Sequence, residues 1–200
     1  MRASEQDRDD VQTLRADWPR MLESVPVGNL VFLDESSAST SLAKLYGRCV
    51  KGYRLRDSAP VGHWLTVTML SAVRIDGPIA PLLVDGAVDG EIFTAWIEQF
   101  LLRELRPGDV VIMDNLSAHR IARVSQLLQS AGHSLLYLPP YSPDLNPIEQ
   151  MWSKVKNILR TLKARTFDEL TEAVRIAISK ITAQNCRGYF EHCGYGSIFI

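Results

Sequence analysis

Three carboxylates in this sequence stand where chemistry could be done. Asp34 closes the short, apolar, partly β-branched run Asn29-Leu-Val-Phe-Leu-Asp34, and Asp114 follows the wholly apolar run Val110-Val-Ile-Met113. Both runs read as buried strands, and ligands collect at the C-terminal edge of strands in an α/β sheet. A single aspartate where a strand gives way to a loop is ordinary turn chemistry; two at one sheet edge suggest a cation. The third acid, Glu149, lies in Asn146-Pro147-Ile148-Glu149, which also fits an N-cap asparagine, a proline at the first helical position and a capping-box glutamate. Hard oxygen ligands with no neighbouring Cys or His set point to Mg²⁺ or Mn²⁺ rather than zinc. Two such ions, roughly 3.5–4 Å apart, would activate water or a 3′-hydroxyl on one side of a phosphorus and stabilise the leaving oxygen on the other.

The helix behind Glu149 weighs against a purely capping role. At about 100° per residue, Ser153, Lys156, Arg160 and Lys163 fall within roughly 40° of Glu149, while Ile148, Met151, Val155, Leu159 and Leu162 centre near −120°. No acid interrupts Gln150 to Thr166, although Lys154, Lys156, Arg160, Lys163 and Arg165 all fall there. A carboxylate heading a basic stripe, beside an apolar stripe that docks the helix, suits a metal-assisted phosphodiester site whose cations track a phosphate backbone. The plainer alternative is a solvated helix face.

The elements needed to position these groups can be read from the pattern. Residues up to about Pro26 form a lead-in helix or linker, with Val11, Leu14, Trp18 and Leu22 at helical spacing. Asn29 to Asp34 is a strand and Glu35 to Ser41 a loop. Leu65 to Ile75 and Ile79 to Val84 are strands joined at Asp76-Gly77-Pro78, so three antiparallel strands are expected. From Asp89 the period changes: Ile92, Phe93, Trp96, Ile97, Phe100, Leu101 and Leu105 mark an amphipathic helix ended by Pro107-Gly108. A strand to Met113, a helix over about Ser117 to Ser130 and a strand from Ser134 to Leu138 imply two parallel strands in a sheet covered on both faces. A proline-rich loop, Pro139 to Pro147, precedes a helix to about Lys163 and another from Phe167 to about Thr182.

Bulk properties set the outer bounds. The 200 residues are 46% apolar and 22% charged, enough for one sizeable core in one domain. No apolar run approaches the roughly 18 residues of a membrane span, and Met1 to Arg20 is charged, so a cytoplasmic protein with no membrane partner is expected. The net charge of −1 gives no global attraction to nucleic acid, so DNA binding must come from a local basic surface. Cys49, Cys186 and Cys193 read as reduced thiols. Asn115 and His119 could position DNA or support Asp114, and are as often structural. Tyr141 reads as loop packing, Glu35 as facing away from Asp34, and Trp64, Trp96 and Trp152 as core or groove aromatics.

The motifs also resemble a known family. Phe32-Leu-Asp34-Glu35, Val111-Ile-Met-Asp114-Asn115 with His119, and Leu138-Pro-Pro-Tyr-Ser-Pro-Asp-Leu-Asn-Pro-Ile-Glu149 with Trp152 are similar to the Asp-Asp-Glu transposases of the mariner superfamily, in its bacterial insertion-sequence branch. The 34 residues between Asp114 and Glu149 match the spacing of that branch. Over residues 28–200 the resemblance implies a ribonuclease-H-like catalytic domain with Asp34, Asp114 and Glu149 as catalytic and metal-binding residues. It further implies Mg²⁺ or Mn²⁺ as a pair of ions, cutting at transposon ends, and joining of the freed 3′-hydroxyl to target DNA. Residues 1–27 are read as an N-terminal linker or helix, of which Met1 to Arg20 resembles the linker that follows a helix-turn-helix module. That module is expected to be absent here and supplied by a separate subunit or fusion partner, with the chain acting as a homodimer on DNA in the bacterial nucleoid. A nuclease of the same fold that hydrolyses without joining, and a catalytically silent DNA-binding remnant, are the competing readings.

Overall fold

A computed structural model describes residues 4–44, 46–54, 56, 64–115 and 122–196. Its centre is a five-stranded sheet in the order β3-β2-β1-β4-β5. Strands β1 (Leu30–Ser39), β2 (Thr66–Arg74) and β3 (Gly77–Asp85) are antiparallel, whereas β4 (Val110–Met113) and β5 (Ser134–Tyr137) join β1 in parallel. These are the three antiparallel strands followed by two parallel ones that the alternation of strand and helix patterns implies, in the ribonuclease-H-like arrangement that the family resemblance implies.

Alternation along the pleat sorts the core into two layers. Leu30, Phe32, Val110 and Ile112 face α5 (Pro147–Leu162), α6 (Phe167–Ser179) and α7 (Ala183–His192). Val31, Leu33, Val111 and Met113 face the opposite layer. That layer is α2 (Gly90–Trp96), a π-helical turn (Ile97–Leu101), α3 (Leu102–Glu104) and α4 (Ala122–Ser130). The lead-in helix α1 (Asp9–Leu22) does more than connect, because Trp18 and Leu22 are buried in the first layer.

Several boundaries differ from the sequence reading. β1 runs on to Ser39 instead of breaking at Asp34, because Glu35 to Ser39 keep pairing with Leu70 to Thr66 of β2 after β4 has diverged. The β2–β3 turn centres on Ile75 and Asp76, one residue earlier than Asp76-Gly77-Pro78 suggests, since Arg74 pairs with Gly77. Pro78 is tolerated because β3 is an edge strand. The π turn swings Phe100 to the surface, although its spacing suits the buried stripe of Ile97 and Leu101. Trp64 is 57% exposed and so is no core residue, whereas Trp96 and Trp152 are buried. Helix α7 has no counterpart in the sequence reading; its signal is the reciprocal Thr182–Asn185 capping box.

The end of the sheet away from Asp114 is held by one fully buried ion pair. Arg74, the last residue of β2, donates from Nη1 to Asp109 Oδ1 at 2.7 Å and from Nη2 to Asp109 Oδ2 and to the Glu104 carbonyl. Asp109 Oδ2 also accepts from the Arg106 backbone N–H at 2.6 Å. Because Asp109 directly precedes β4, the pair ties β2 to β4 across the intervening β1. Removing one partner leaves an uncompensated buried charge. Asp109→Ala is therefore expected to lower unfolding free energy by about 3–5 kcal/mol, whereas the double change Arg74→Met with Asp109→Leu stays within about 2 kcal/mol of wild type. Urea unfolding of the three proteins checks this.

Candidate active site

Two residues past the last β1–β4 pair, Phe32 with Ile112, the same register brings Asp34 and Asp114 to adjacent positions. Each continues the parity of Phe32 or Ile112, so each side chain emerges on the face covered by α5. Asp34 is buried, and its Oδ1 accepts from the Glu35 backbone N–H at 2.8 Å. Its cross-strand partner Ser71 sits where the β2–β3 register slips, and Ser71 Oγ donates to the Ile79 carbonyl at 2.9 Å. Bulges of this kind recur beside functional sites, where they re-aim side chains.

Helix α5 supplies the third acid. Its buried face, Ile148, Met151, Trp152, Val155 and Leu159, packs on the sheet and turns the exposed Glu149 toward the strand ends. Asp34, Asp114 and Glu149 line one pocket of about 400 Å³ together with Asn115, Asn146 and the loop Leu138–Pro143. Among the described residues no three acidic, histidine or cysteine groups stand close enough to enclose one ion, so the three acids share a pocket without forming a closed ligand cage. Glu35, on the other side of the pleat, is not among the residues lining it.

The two asparagines differ from their expected structural roles. Asn146 occupies the N-cap position of α5, yet its side chain makes no cap hydrogen bond and no capping box with Glu149 forms. The next two helices both carry complete boxes, Thr166 with Glu169 and Thr182 with Asn185. Asn146 is 3% exposed, and its Oδ1 has no hydrogen-bond partner. Asn115 donates from Nδ2 to the Leu138 carbonyl at 3.0 Å, which fixes its amide orientation and leaves a buried Oδ1 also unpartnered. A buried acceptor left unsatisfied costs about 1–3 kcal/mol, and a lost N-cap typically about 1 kcal/mol. The described lining carries three carboxylates and no Lys, Arg or His. It suits a hard divalent cation.

The proline-rich loop over this pocket is strapped from both ends of the chain. Arg15 of α1 forms a two-point ion pair with Asp144, at 3.0 and 2.6 Å, and donates to Ser142 Oγ at 2.6 Å. Gln6 donates to the Tyr141 carbonyl, and Tyr195 OH donates to the Leu145 carbonyl at 2.7 Å. Trp18 Nε1 in turn donates to Tyr195 OH at 2.9 Å. Burial raises the Tyr195 phenol well above its ordinary pKa, keeping it a neutral donor. Tyr141 itself is 47% exposed at the pocket rim in a left-handed conformation, φ 55°, so it is not packed under the loop. Cys186 and Cys193 are buried, and desolvation pushes both thiols up to about 11, in keeping with inert cysteines.

The expected basic stripe divides. Arg160 lines a groove between α5 and α7 with Lys154, Gln150, Ser153, Asn157, Asn185 and Tyr189. Lys154 Nζ donates to Asn185 Oδ1 at 2.5 Å. Lys156 is half-buried on α5. Lys163 lies past the end of α5 in a left-handed cap, φ 54°, and lines a separate depression with Asp168, Glu169 and Glu172 of α6. Helical stepping from Glu149 no longer applies to it. His119 lies outside the described residues.

Residues 29–171 match the family model of the DDE superfamily endonucleases, and the chain belongs to that family. The span includes all three acids. No curated protein matches the chain. Among solved structures, a pre-cleavage Mos1 transpososome superposes with a TM-score of 0.76 at 15% identity, over 99% of this chain and 64% of that one. A Mos1 transposase paired-end complex with the left transposon end gives 0.75 at 13%, over 98% and 60%. The catalytic domain of Mos1 mariner transposase gives 0.66 at 12%, over 99% and 96%. At these identities the likeness is one of fold, and the chain spans about 60% of the length of the first of the longer chains.

The strap makes a stability statement that can be checked. Tyr195→Phe removes the partner of both the Leu145 carbonyl and Trp18 Nε1, and is expected to cost about 1–3 kcal/mol in urea unfolding. Limited proteolysis within residues 139–146 is expected to accelerate in the same variant.

Proposed function

We propose that this chain is the catalytic domain of a mariner-type DNA transposase, which cuts at transposon ends and joins the freed 3′-hydroxyl to target DNA. The observation that carries this reading is the meeting of Asp34, Asp114 and Glu149 on one pocket within a DDE endonuclease domain. The Mos1 structures include paired-end complexes with Mg and with Mn, which supports divalent-ion chemistry here. A bound pair of Mg²⁺ or Mn²⁺ ions supplies Lewis-acid polarisation of the phosphoryl group and lowers the pKa of the attacking hydroxyl.

The chain's own residues then have separate tasks. Asp34, fixed by its strand and the Glu35 N–H, and Asp114, just past the end of β4, would hold the ions from the sheet side. Glu149 closes the site from α5. The rigid sheet presets the first two acids, so little ordering is needed when the ions bind. The α5–α7 groove, with Lys154 and Arg160, tracks the phosphate backbone beyond the pocket, and Lys156, Lys163, Asn115 and His119 are further candidates for DNA contact. At about 1.5 Å per residue, Gln150 to Arg160 extends some 15 Å away from Glu149. We further propose that the chain acts on DNA as a homodimer, with end recognition provided by a helix-turn-helix subunit or fusion partner.

Purified protein with pre-cut transposon ends, Mg²⁺ and a target plasmid tests the function. Joined product is expected from wild type and none from Asp34→Asn, Asp114→Asn or Glu149→Gln. Cleavage without joining would instead assign a nuclease of the same fold. For the groove, changing Lys154 and Arg160 to glutamine is expected to reduce the slope of log K against log salt for duplex DNA by about 1–2. An unchanged slope would return this surface to plain solvation.

A further inference from the structure

We propose that the Tyr141 ring is a stacking platform for an unpaired base of the DNA strand whose phosphate enters the acidic pocket. The inference rests on the function proposed above and deepens it, assigning a substrate contact to a residue outside the acidic triad.

Tyr141 is exposed and strained at once. Its φ of 55° lies in the left-handed region, which a bulky L-residue rarely adopts. Pro140 and Tyr141 form a turn, and a turn position with positive φ is one that Gly or Asn fills most easily. The other non-glycine residues with positive φ among those described have local reasons: Lys163 caps the end of α5, and Ala80 lies in β3 where its register against β2 slips. In return for its strain Tyr141 gains no core contact, since it is 47% exposed and packs against neither hydrophobic cluster. An unfavourable backbone conformation held at a pocket rim without a packing gain points to use by a ligand.

The fold holds that conformation firmly. Ser142 Oγ donates to the Pro140 carbonyl at 3.1 Å, bridging the residues on either side of Tyr141, and Gln6 donates to the Tyr141 carbonyl. Arg15 donates to Ser142 Oγ and pairs with Asp144. Pro140 and Pro143 fix their own φ angles. A ring carried on a backbone braced in this way loses little freedom on meeting a partner.

The pocket supplies the chemistry of that partner. Its three carboxylates suit cations and the phosphate they bind, whereas Leu138, Pro139, Pro140, Tyr141 and Pro143 give the same lining an apolar part for which ions have no use. A nucleotide has both halves, a phosphate for the ion-bearing acids and a flat base for an aromatic face. Every base has a π face, so stacking tolerates any sequence, but it needs a base freed from its pair, as at a cut strand end.

The test is a cycle between ring and base. Equilibrium binding of the whole chain in Mg²⁺ is measured for wild type, Tyr141→Phe and Tyr141→Asn against a duplex with a short single-stranded tail, the tail carrying either adenines or the stable tetrahydrofuran abasic analogue. Phenylalanine keeps the ring; asparagine removes it and accepts the left-handed backbone. Wild type and Tyr141→Phe are expected to bind the adenine tail at least about fivefold more tightly than the abasic one, whereas Tyr141→Asn binds both alike. The salt slope is expected to stay the same in all three, because no charge is removed. Tyr141→Asn is also expected to melt at or above the wild-type temperature. An equal loss on base removal in wild type and Tyr141→Asn would overturn the inference, as would a fall in the melting temperature of Tyr141→Asn, which marks a packing role. Wild type that binds neither duplex would remove the proposed function and this inference together. Joined product from a wild type indifferent to the tail bases would remove the inference alone. A ring-dependent preference for the adenine tail in a chain that cuts without joining would support the platform and overturn the joining reading.

Discussion

The parallel hydrogen bonding of β1 to β4 is the constraint on which the site depends. Three residue pairs, Leu30 with Val110 through Phe32 with Ile112, set the register of two strands far apart in the chain. Since side chains alternate with a period of two, the same register decides that Asp34 and Asp114 emerge next to each other and on one face. A slip of one residue would send one of the acids into the α2–α4 layer. Such a slip is blocked by the core itself, because Phe32 and Ile112 would exchange layers with Leu33 and Met113. Burial on both faces thus acts as the alignment device for the chemistry at the strand ends.

The two ends of the sheet are built from different interactions. At the Asp109 end, a buried ion pair is backed by the Glu104 carbonyl and the Arg106 N–H. At the Asp114 end, two buried amide oxygens lack partners, and α5 begins without a side-chain cap. Helices α6 and α7, which carry no acid of the triad, begin with complete capping boxes. Among the described residues, Asn115 and Asn146 are the pocket residues with an unpartnered buried side-chain atom, while Arg74 Nε at the Asp109 end and atoms of His133, Trp152 and Tyr189 also lack partners.

The loop between β5 and α5 shows how distant parts of the chain converge on the pocket. Its carbonyls and acid are held by Gln6 and Arg15 from the amino-terminal region and by Tyr195 after α7. Trp18 joins these two supports through its bond to Tyr195. A change in the position of α1 would reach Asp144 and Tyr195 directly, so the segment preceding the catalytic fold is mechanically connected to the pocket rim.

Much of this was legible in the residues. Wholly apolar, largely β-branched Val110 to Met113, bounded by Pro107-Gly108 and Asp114-Asn115, reads as a strand buried on both faces, and Pro147 with the 3.6-residue apolar period marks α5 to within a residue. The three acids stand out because carboxylates at the ends of such elements have no core role. Other features had no local signal. The extension of β1 to Ser39 depends on a hydrogen-bonding partner supplied by β2, the outward turn of Phe100 on one π-helical turn, and the separation of Lys163 from Arg160 on a single left-handed residue. The missing cap at Asn146 runs against its local sequence, which favours capping. Local sequence sets which segments are helix or strand and which groups are polar, since those preferences come from neighbours a few residues away. The meeting of Asp34, Asp114, Glu149 and two unsatisfied amides in one pocket was decided by tertiary structure, because register, helix docking and loop strapping join residues that no short-range rule connects.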